Sequence, residues 1–86
     1  MRFMTEDIVY AKLTEIVRTL FDEYEGPVNA GLTAKAVQQW DSLANVQLMV
    51  MVEQAFKIRF RVDEMTGLAN VGELVTLIQR KVGTRS

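Results

Sequence analysis

Residues 40–56 read WDSLANVQLMVMVEQAF, and the fold follows from what this stretch has to bury. It contains no Gly or Pro and is rich in residues that tolerate a helix, so a helix is expected from Asp41 or Ser42 to Phe56. Asp and Ser are both helix-start residues, and either can serve as the cap. With Ser42 at the origin of a helical wheel, about 100° per residue, Leu48, Met49, Val52, Ala55 and Phe56 fall together on one side. That is a wide core-facing stripe. Leu43, Val46 and Val50 form a second apolar stripe, separated from the first and on the same side as Ser42. One stripe suffices to bury a helix against a bundle. A second stripe beside the serine therefore asks for a partner outside the bundle, unless the helix is buried all round. The polar residues Gln47, Glu53 and Gln54 at the stripe margins argue against full burial.

Working outward, the N-terminal side supplies a partner helix. From Thr5 to about Phe21, Val9, Leu13, Ile16, Val17 and Leu20 recur at helical spacing. Thr5 is its expected cap, and Glu6 and Asp7 complement the positive end of the dipole. Residues 22–41 form a long connection that contains Gly26-Pro27 and Gly31. A loop of this length in a small domain implies packing of its own or a function. Leu32, Val37 and Trp40 are expected to fold back onto the bundle, Trp40 covering its end, with a helical turn within Thr33–Gln39.

On the C-terminal side, Ile58–Val62 alternates apolar and basic. A short strand is the rival reading, but a lone strand has no pairing partner, so an extended connection is expected. A short helix from Asp63 to Leu68, capped by Asp63, follows. The last helix begins at Asn70, which with Glu73 resembles a capping box; it carries the stripe Val71, Leu74, Val75, Ile78 and Val82, and Gly83 is expected to end it. The expected architecture is an all-α bundle of three main helices and one short one, a single monomeric domain spanning 1–86 with its core within about 5–82.

Composition narrows the chemistry. The 86 residues include no His and no Cys, which removes the commonest general base, the commonest metal ligand and any thiolate. Glu53, Asp63 and Glu64 form no metal or acid–base constellation in the sequence. A net charge of −1 argues against nucleic-acid binding. No apolar run is long enough to span a bilayer, and no signal-peptide pattern opens the chain, so a cytoplasmic protein without membrane insertion is expected. The balance favours a carrier or interaction domain without catalytic activity over an enzyme. Any chemistry must come from a group added to the chain.

Asp41-Ser42-Leu43, at the head of a helix after a long loop, resembles the Asp-Ser-Leu motif of the acyl carrier protein family. Val46, Leu48, Val52, Phe56, Phe60, Leu68, Val71, Val75 and Ile78 also fall where that family has apolar residues, and the first helix and long first loop match it in length, so the similarity extends over about residues 5–82. The resemblance implies that a phosphopantetheinyl transferase moves a 4′-phosphopantetheine arm from coenzyme A to the Ser42 hydroxyl with Mg²⁺. It implies that Asp41 assists the metal in the transferase complex. Leu43, Val46 and Val50 would then dock the transferase, an acyl- or aminoacyl-loading ligase or acyltransferase, and downstream biosynthetic enzymes. Two features depart from the fatty-acid carriers. Gln39 and Trp40 stand where Gly and a smaller residue are usual. Only Glu53 is acidic between Ser42 and Phe56, and Lys57, Arg59 and Arg61 follow it. These departures imply a carrier for a specialised pathway, such as polyketide, peptide, cell-envelope or modified-lipid synthesis. The competing reading is a small helical interaction domain in which Ser42 only caps a helix.

Overall fold

The structure, a computed structural model, describes residues 5–84. Helix α1 spans Glu6–Leu20, a 3-10 turn spans Ala34–Ala36, and α2 spans Ser42–Phe56; α3 spans Val62–Thr66 and α4 spans Val71–Thr84. The described residues contain no strand. Thr5 caps α1 through its hydroxyl, which accepts the Ile8 N–H at 3.3 Å. Val9, Leu13, Ile16 and Val17 of α1 meet Leu48, Met49, Val52 and Phe56 of α2 and Val71, Leu74, Val75 and Ile78 of α4 in one core. Among the described residues no polar or charged side chain is buried, so that core is hydrocarbon throughout. The stripe expected on α2 is correct except at its edge. Ala55 is exposed and Ala44, at nearly the same angle on the wheel but near the helix start, is buried.

The long loop is packed. Leu32 and Val37 are buried, and Trp40 stacks on the fully buried Phe21 with ring centroids 5.3 Å apart. Trp40 thus closes the end of the bundle, as its place in the sequence suggested. The side-chain amide of Gln39 accepts the Glu23 N–H at 3.0 Å and donates to Asp22 at 3.1 Å, tying the end of the loop to its beginning. Glycine at this position would leave both groups without that partner. The loop also supplies acceptors to α4: Ala30 and Leu32 carbonyls take the Gly72 and Val71 N–H groups at 3.0 and 2.9 Å, two donors that no helical carbonyl reaches.

The segment after α2 turns on Lys57, whose φ of 57° and ψ of 48° place it in the left-handed region. With that residue as pivot, the Ile58 N–H returns to the Glu53 carbonyl and Ile58 is directed into the core. Ile58 and Phe60 are buried while Arg59 and Arg61 are exposed, so the alternation is real. It serves an extended segment lying on the bundle, and the Phe60 N–H is taken by the Glu53 carboxylate at 2.8 Å instead of by a neighbouring strand.

Three helix-end expectations are corrected. The short helix starts at Val62 and ends at Thr66, so its N-cap position is Arg61, not Asp63. The Glu64 carboxylate fixes that start by accepting the Arg61 N–H at 2.8 Å, a contact Asp63 is one residue too early to make. At α4, Asn70 caps the Glu73 N–H at 2.9 Å as expected, but Glu73 reaches back to the Ala69 N–H. Gly83 does not end α4, which continues through it to Thr84. Gly lowers helix propensity by only about 1 kcal/mol, too little to stop a helix whose preceding turns are packed.

Gly72 is held by close approach. A Cβ there would lie 3.0 Å from the Ala30 Cβ and 3.1 Å from the Ala30 carbonyl oxygen. Gly72→Ala gains about 1 kcal/mol of helix propensity but overpacks this contact, at a cost of roughly 1–3 kcal/mol. The expected net result is a lower melting temperature, by roughly 4–8 °C for each kcal/mol lost. An unchanged or higher melting temperature would show that the loop yields freely at Ala30.

Candidate functional site

The start of α2 is set by Asp41. Its backbone is extended, and its carboxylate Oδ1 accepts the Ala44 N–H at 2.8 Å while its carbonyl accepts the Asn45 N–H at 2.9 Å. Asp41 is therefore the cap, and Ser42 is the first helical residue. The Ser42 side chain is exposed and its hydroxyl makes no hydrogen bond to another described residue. Beside it the N–H groups of Ser42 and Leu43 have no helical acceptor, as at any helix start. A negatively charged substituent on the hydroxyl would sit at the positive end of a 15-residue helix. Asp41 keeps one carboxylate oxygen outside the cap contact. Among the described residues no cluster of three His, Cys, Asp or Glu side chains forms a metal site.

The second apolar stripe of α2 is on the surface. Leu43 is 70% exposed, Val46 50% and Val50 40%, on the side of the helix that also presents Ser42. The structure adds Val62, 77% exposed at the start of α3, which the sequence reading missed. The signal was present: in the alternation of residues 58–62, Val62 is the apolar member that begins a helix and so leaves the inward series. Val46 and Val62 line one open groove with Ser42, Trp40, Met65 and Leu68, about 760 Å³ in volume.

Asn45 was also missed. Its side chain accepts the Trp40 indole N–H at 3.0 Å through Oδ1 and donates from Nδ2 to the Met65 carbonyl at 3.1 Å. Reversing the amide would face donor with donor and acceptor with acceptor, so the two contacts together set its orientation. One side chain thus joins the end of the long loop to α3. Each such bond contributes about 0.5–1.5 kcal/mol net, and together they hold α3 beside Ser42 where few apolar contacts do so.

The charges around this face are mostly committed to folding. Glu53, the sole acid within α2, holds the Phe60 N–H and is half-buried. Glu64 takes the Arg61 N–H and pairs with Lys81 at 2.9 Å, which ties α3 to α4. Asp63 pairs with Arg61 at 3.2 Å in the open. Lys57 and Arg59 are exposed and make no ion pair among the described residues.

A family model described as a phosphopantetheine attachment site matches residues 40–78 of this chain. Among solved structures, the chain is similar to the solution structure of a holo acyl carrier protein from Geobacter metallireducens, with 34% identity and a TM-score of 0.78. That similarity covers 86% of this chain and 85% of the other. No curated protein matches.

The Glu64 contacts make the attachment of α3 sensitive to pH. The Arg61 N–H bond, then the Lys81 contact, holds the Glu64 carboxyl below the ordinary glutamate range. A carboxyl whose folded pKa is lowered adds stability above its unfolded pKa, and that stability is lost as pH falls through the folded value. Glu64→Gln should therefore melt below the wild type at neutral pH. The gap should close as pH is lowered through and below the usual glutamate range. A gap that persists unchanged to low pH would show that the ionised carboxylate is not what holds α3.

Proposed function

The chain belongs to the acyl carrier protein family and takes 4′-phosphopantetheine as a covalent cofactor, and from that premise we propose that the Ser42 hydroxyl is the attachment point. The observation that carries this is the division of labour at the start of α2. Asp41 performs the capping, so Ser42 is exposed, uncommitted and beside free N–H groups. The same observation counts against a serine whose only role is to cap. In the transfer, Ser42 Oγ forms a new bond to the phosphorus of coenzyme A that bears the pantetheine arm. The pyrophosphate bond breaks, the adenosine bisphosphate leaves, and the serine proton passes to solvent or a base of the transferase. Asp41 keeps one carboxylate oxygen available to the Mg²⁺ of that complex. The phosphodiester left behind is stabilised by the helix dipole. The attached arm supplies the thiol that this chain lacks, and its thioester holds the acyl or aminoacyl cargo.

Leu43, Val46 and Val50 form the docking stripe for the transferase, the loading ligase or acyltransferase and the downstream enzymes, and Val62 extends it across the groove. Two features favour a specialised pathway over general fatty-acid synthesis: Glu53 is turned to the backbone of Phe60, and the charges that directly follow α2, Lys57 and Arg59, are basic and make no ion pair among the described residues. Enzymes built to meet an acidic helix find few acids here. Contact then rests on apolar burial, about 1.5–3 kcal/mol for a fully buried Val or Leu, against roughly 0.2–1 kcal/mol for an exposed ion pair.

Two experiments test the reading. Incubation with coenzyme A, Mg²⁺ and a broad-specificity phosphopantetheinyl transferase should add the mass of the arm to the wild type and nothing to Ser42→Ala, whose helical circular dichroism should be unchanged. An arm on the alanine variant would place the site elsewhere. For docking, Val46→Asp should reduce loading by the cognate enzyme at least tenfold, with little dependence on salt. Glu53→Gln keeps an acceptor for Phe60 and should change loading less than threefold. The reverse ranking, with steep salt dependence, would return the chain to the ordinary fatty-acid carriers.

A further inference from the structure

We propose that the docking surface of α2 ends in a basic hollow at Lys57 and Arg59 that receives carboxylates of the partner enzyme, so that the enzymes matched to this carrier present an apolar contact bordered by acidic side chains. This rests on Leu43, Val46 and Val50 as the docking stripe and adds the charge of what meets it. Val50, 40% exposed, lines an open hollow of about 420 Å³ together with Glu53, Gln54, Lys57, Ile58 and Arg59. The stripe therefore runs directly into the two cations. Glu53 is the one acid lining the hollow, and its Oε2 accepts the Phe60 N–H at 2.8 Å. Lys57 and Arg59 are exposed and make no ion pair among the described residues. With two cations against one acid, the hollow is positive on a chain whose net charge is −1.

Lys57 also stands where the backbone favours a different residue. Its φ of 57° and ψ of 48° lie in the left-handed region, where glycine ends a helix at least cost because it has no Cβ to close on the neighbouring carbonyl. The turn itself needs only backbone: the Lys57 and Ile58 N–H groups both return to the Glu53 carbonyl. A side chain that the turn does not require is thus free for contact, roughly 22 Å from Ser42 along the helix at about 1.5 Å per residue. A surface that reaches from Ser42 to Lys57 fits a protein and not a small molecule. A membrane is matched less well, because recognition of anionic lipid uses clusters of about 4–8 basic residues, and here two stand beside an acid. Opposed charges at the rim of an apolar contact select the partner and its orientation, while the stripe supplies most of the affinity.

The test uses the intact chain, isotope-labelled for NMR, and two synthetic helical peptides. The peptides share one leucine face and differ only in carrying Glu or Lys beside it. The Glu peptide should shift the amide signals of Val46, Val50, Lys57 and Arg59. It should bind about fivefold tighter than the Lys peptide at low salt, as two exposed ion pairs allow, and the difference should shrink as salt is raised. The overall charge of −1 by itself favours the Lys peptide. Arg59→Gln and Lys57→Gly should each at least halve the preference and together remove it, and Lys57→Gly should melt no lower than the wild type. Val46→Ser should weaken both peptides alike. Unchanged binding to Val46→Ser removes the docking stripe and the proposal with it. With the stripe intact, equal binding of the two peptides, tighter binding of the Lys peptide, or a Glu preference that survives the double variant overturns the basic hollow alone. A Lys57→Gly chain that melts clearly below the wild type also overturns it, because the side chain then serves the helix end. Co-sedimentation with phosphatidylglycerol vesicles, without binding of either peptide, overturns it in favour of a lipid surface.

Discussion

The contact between the Asp41 carboxylate and the Ala44 N–H fixes where α2 begins, and with it the state of Ser42. A helix that began one residue later would have Ser42 as its cap, with the hydroxyl turned back onto the backbone. With Asp41 in that role, Ser42 enters the first turn with its hydroxyl free. The rotation of the helix is set by burial: Ala44, Leu48, Met49, Val52 and Phe56 face the core, and Leu43, Val46 and Val50 face out. A cap is worth about 1 kcal/mol, so burial of five apolar side chains dominates the energy. The cap decides which atoms of the first turn remain available to chemistry.

The unusual demand on this chain is that one helix bears apolar residues on two faces and buries only one. The cost of the exposed face is not recovered within the bundle, and the rest of the fold compensates by filling the core from irregular segments. Leu32, Val37, Ile58 and Phe60 all lie outside the main helices and all are buried. The chain reaches those positions through specific backbone devices: the left-handed turn at Lys57, the Gln39 amide linking both ends of the loop, and the close approach of Ala30 to Gly72. The loop is long because it carries core residues and closes the end of the bundle with Trp40.

Periodicity alone located α1, α2 and α4, because each has an apolar series at helical spacing and a polar cap residue where the series starts. The two apolar faces of α2 were also legible, since the wheel separates them without knowledge of the neighbours. The expectation of a helical turn within Thr33–Gln39 agrees with the 3-10 turn at Ala34–Ala36. What escaped was governed by contacts distant in sequence. Asn45 lies in α2 and its partner carbonyl is at Met65, and nothing local in the sequence announces that pairing. The start of the short helix was misplaced because Asp63 is the better cap by residue type, whereas Glu64 reaching back to the Arg61 N–H decides it. Gly83 was read as a stop because glycine usually ends helices, yet the packed turns before it carry α4 onward. Ala55 was assigned to the core because alanine is apolar; Ala44 shares its edge of the wheel and is buried, so what decides is which part of the helix the neighbouring elements cover.

The acidic residues near the proposed docking face make the last connection between folding and recognition. Glu53 and Glu64 are both spent on backbone N–H groups of the connection that follows α2, at Phe60 and Arg61. That connection has extended backbone and no strand beside it, so its donors need side-chain acceptors, and the nearest carboxylates supply them. The Glu64 bond fixes the start of α3, and both bonds turn their carboxylates toward the backbone of the connection. Lys57 and Arg59, set outward by the left-handed turn and by the alternation with Ile58 and Phe60, are the charges that directly follow α2, and they make no ion pair among the described residues. The surface beside Ser42 is thus apolar along α2 and basic at its far end as a consequence of how the connection satisfies its backbone. A partner matched to it needs an apolar contact and few basic groups, which is the electrostatic complement of a surface built this way.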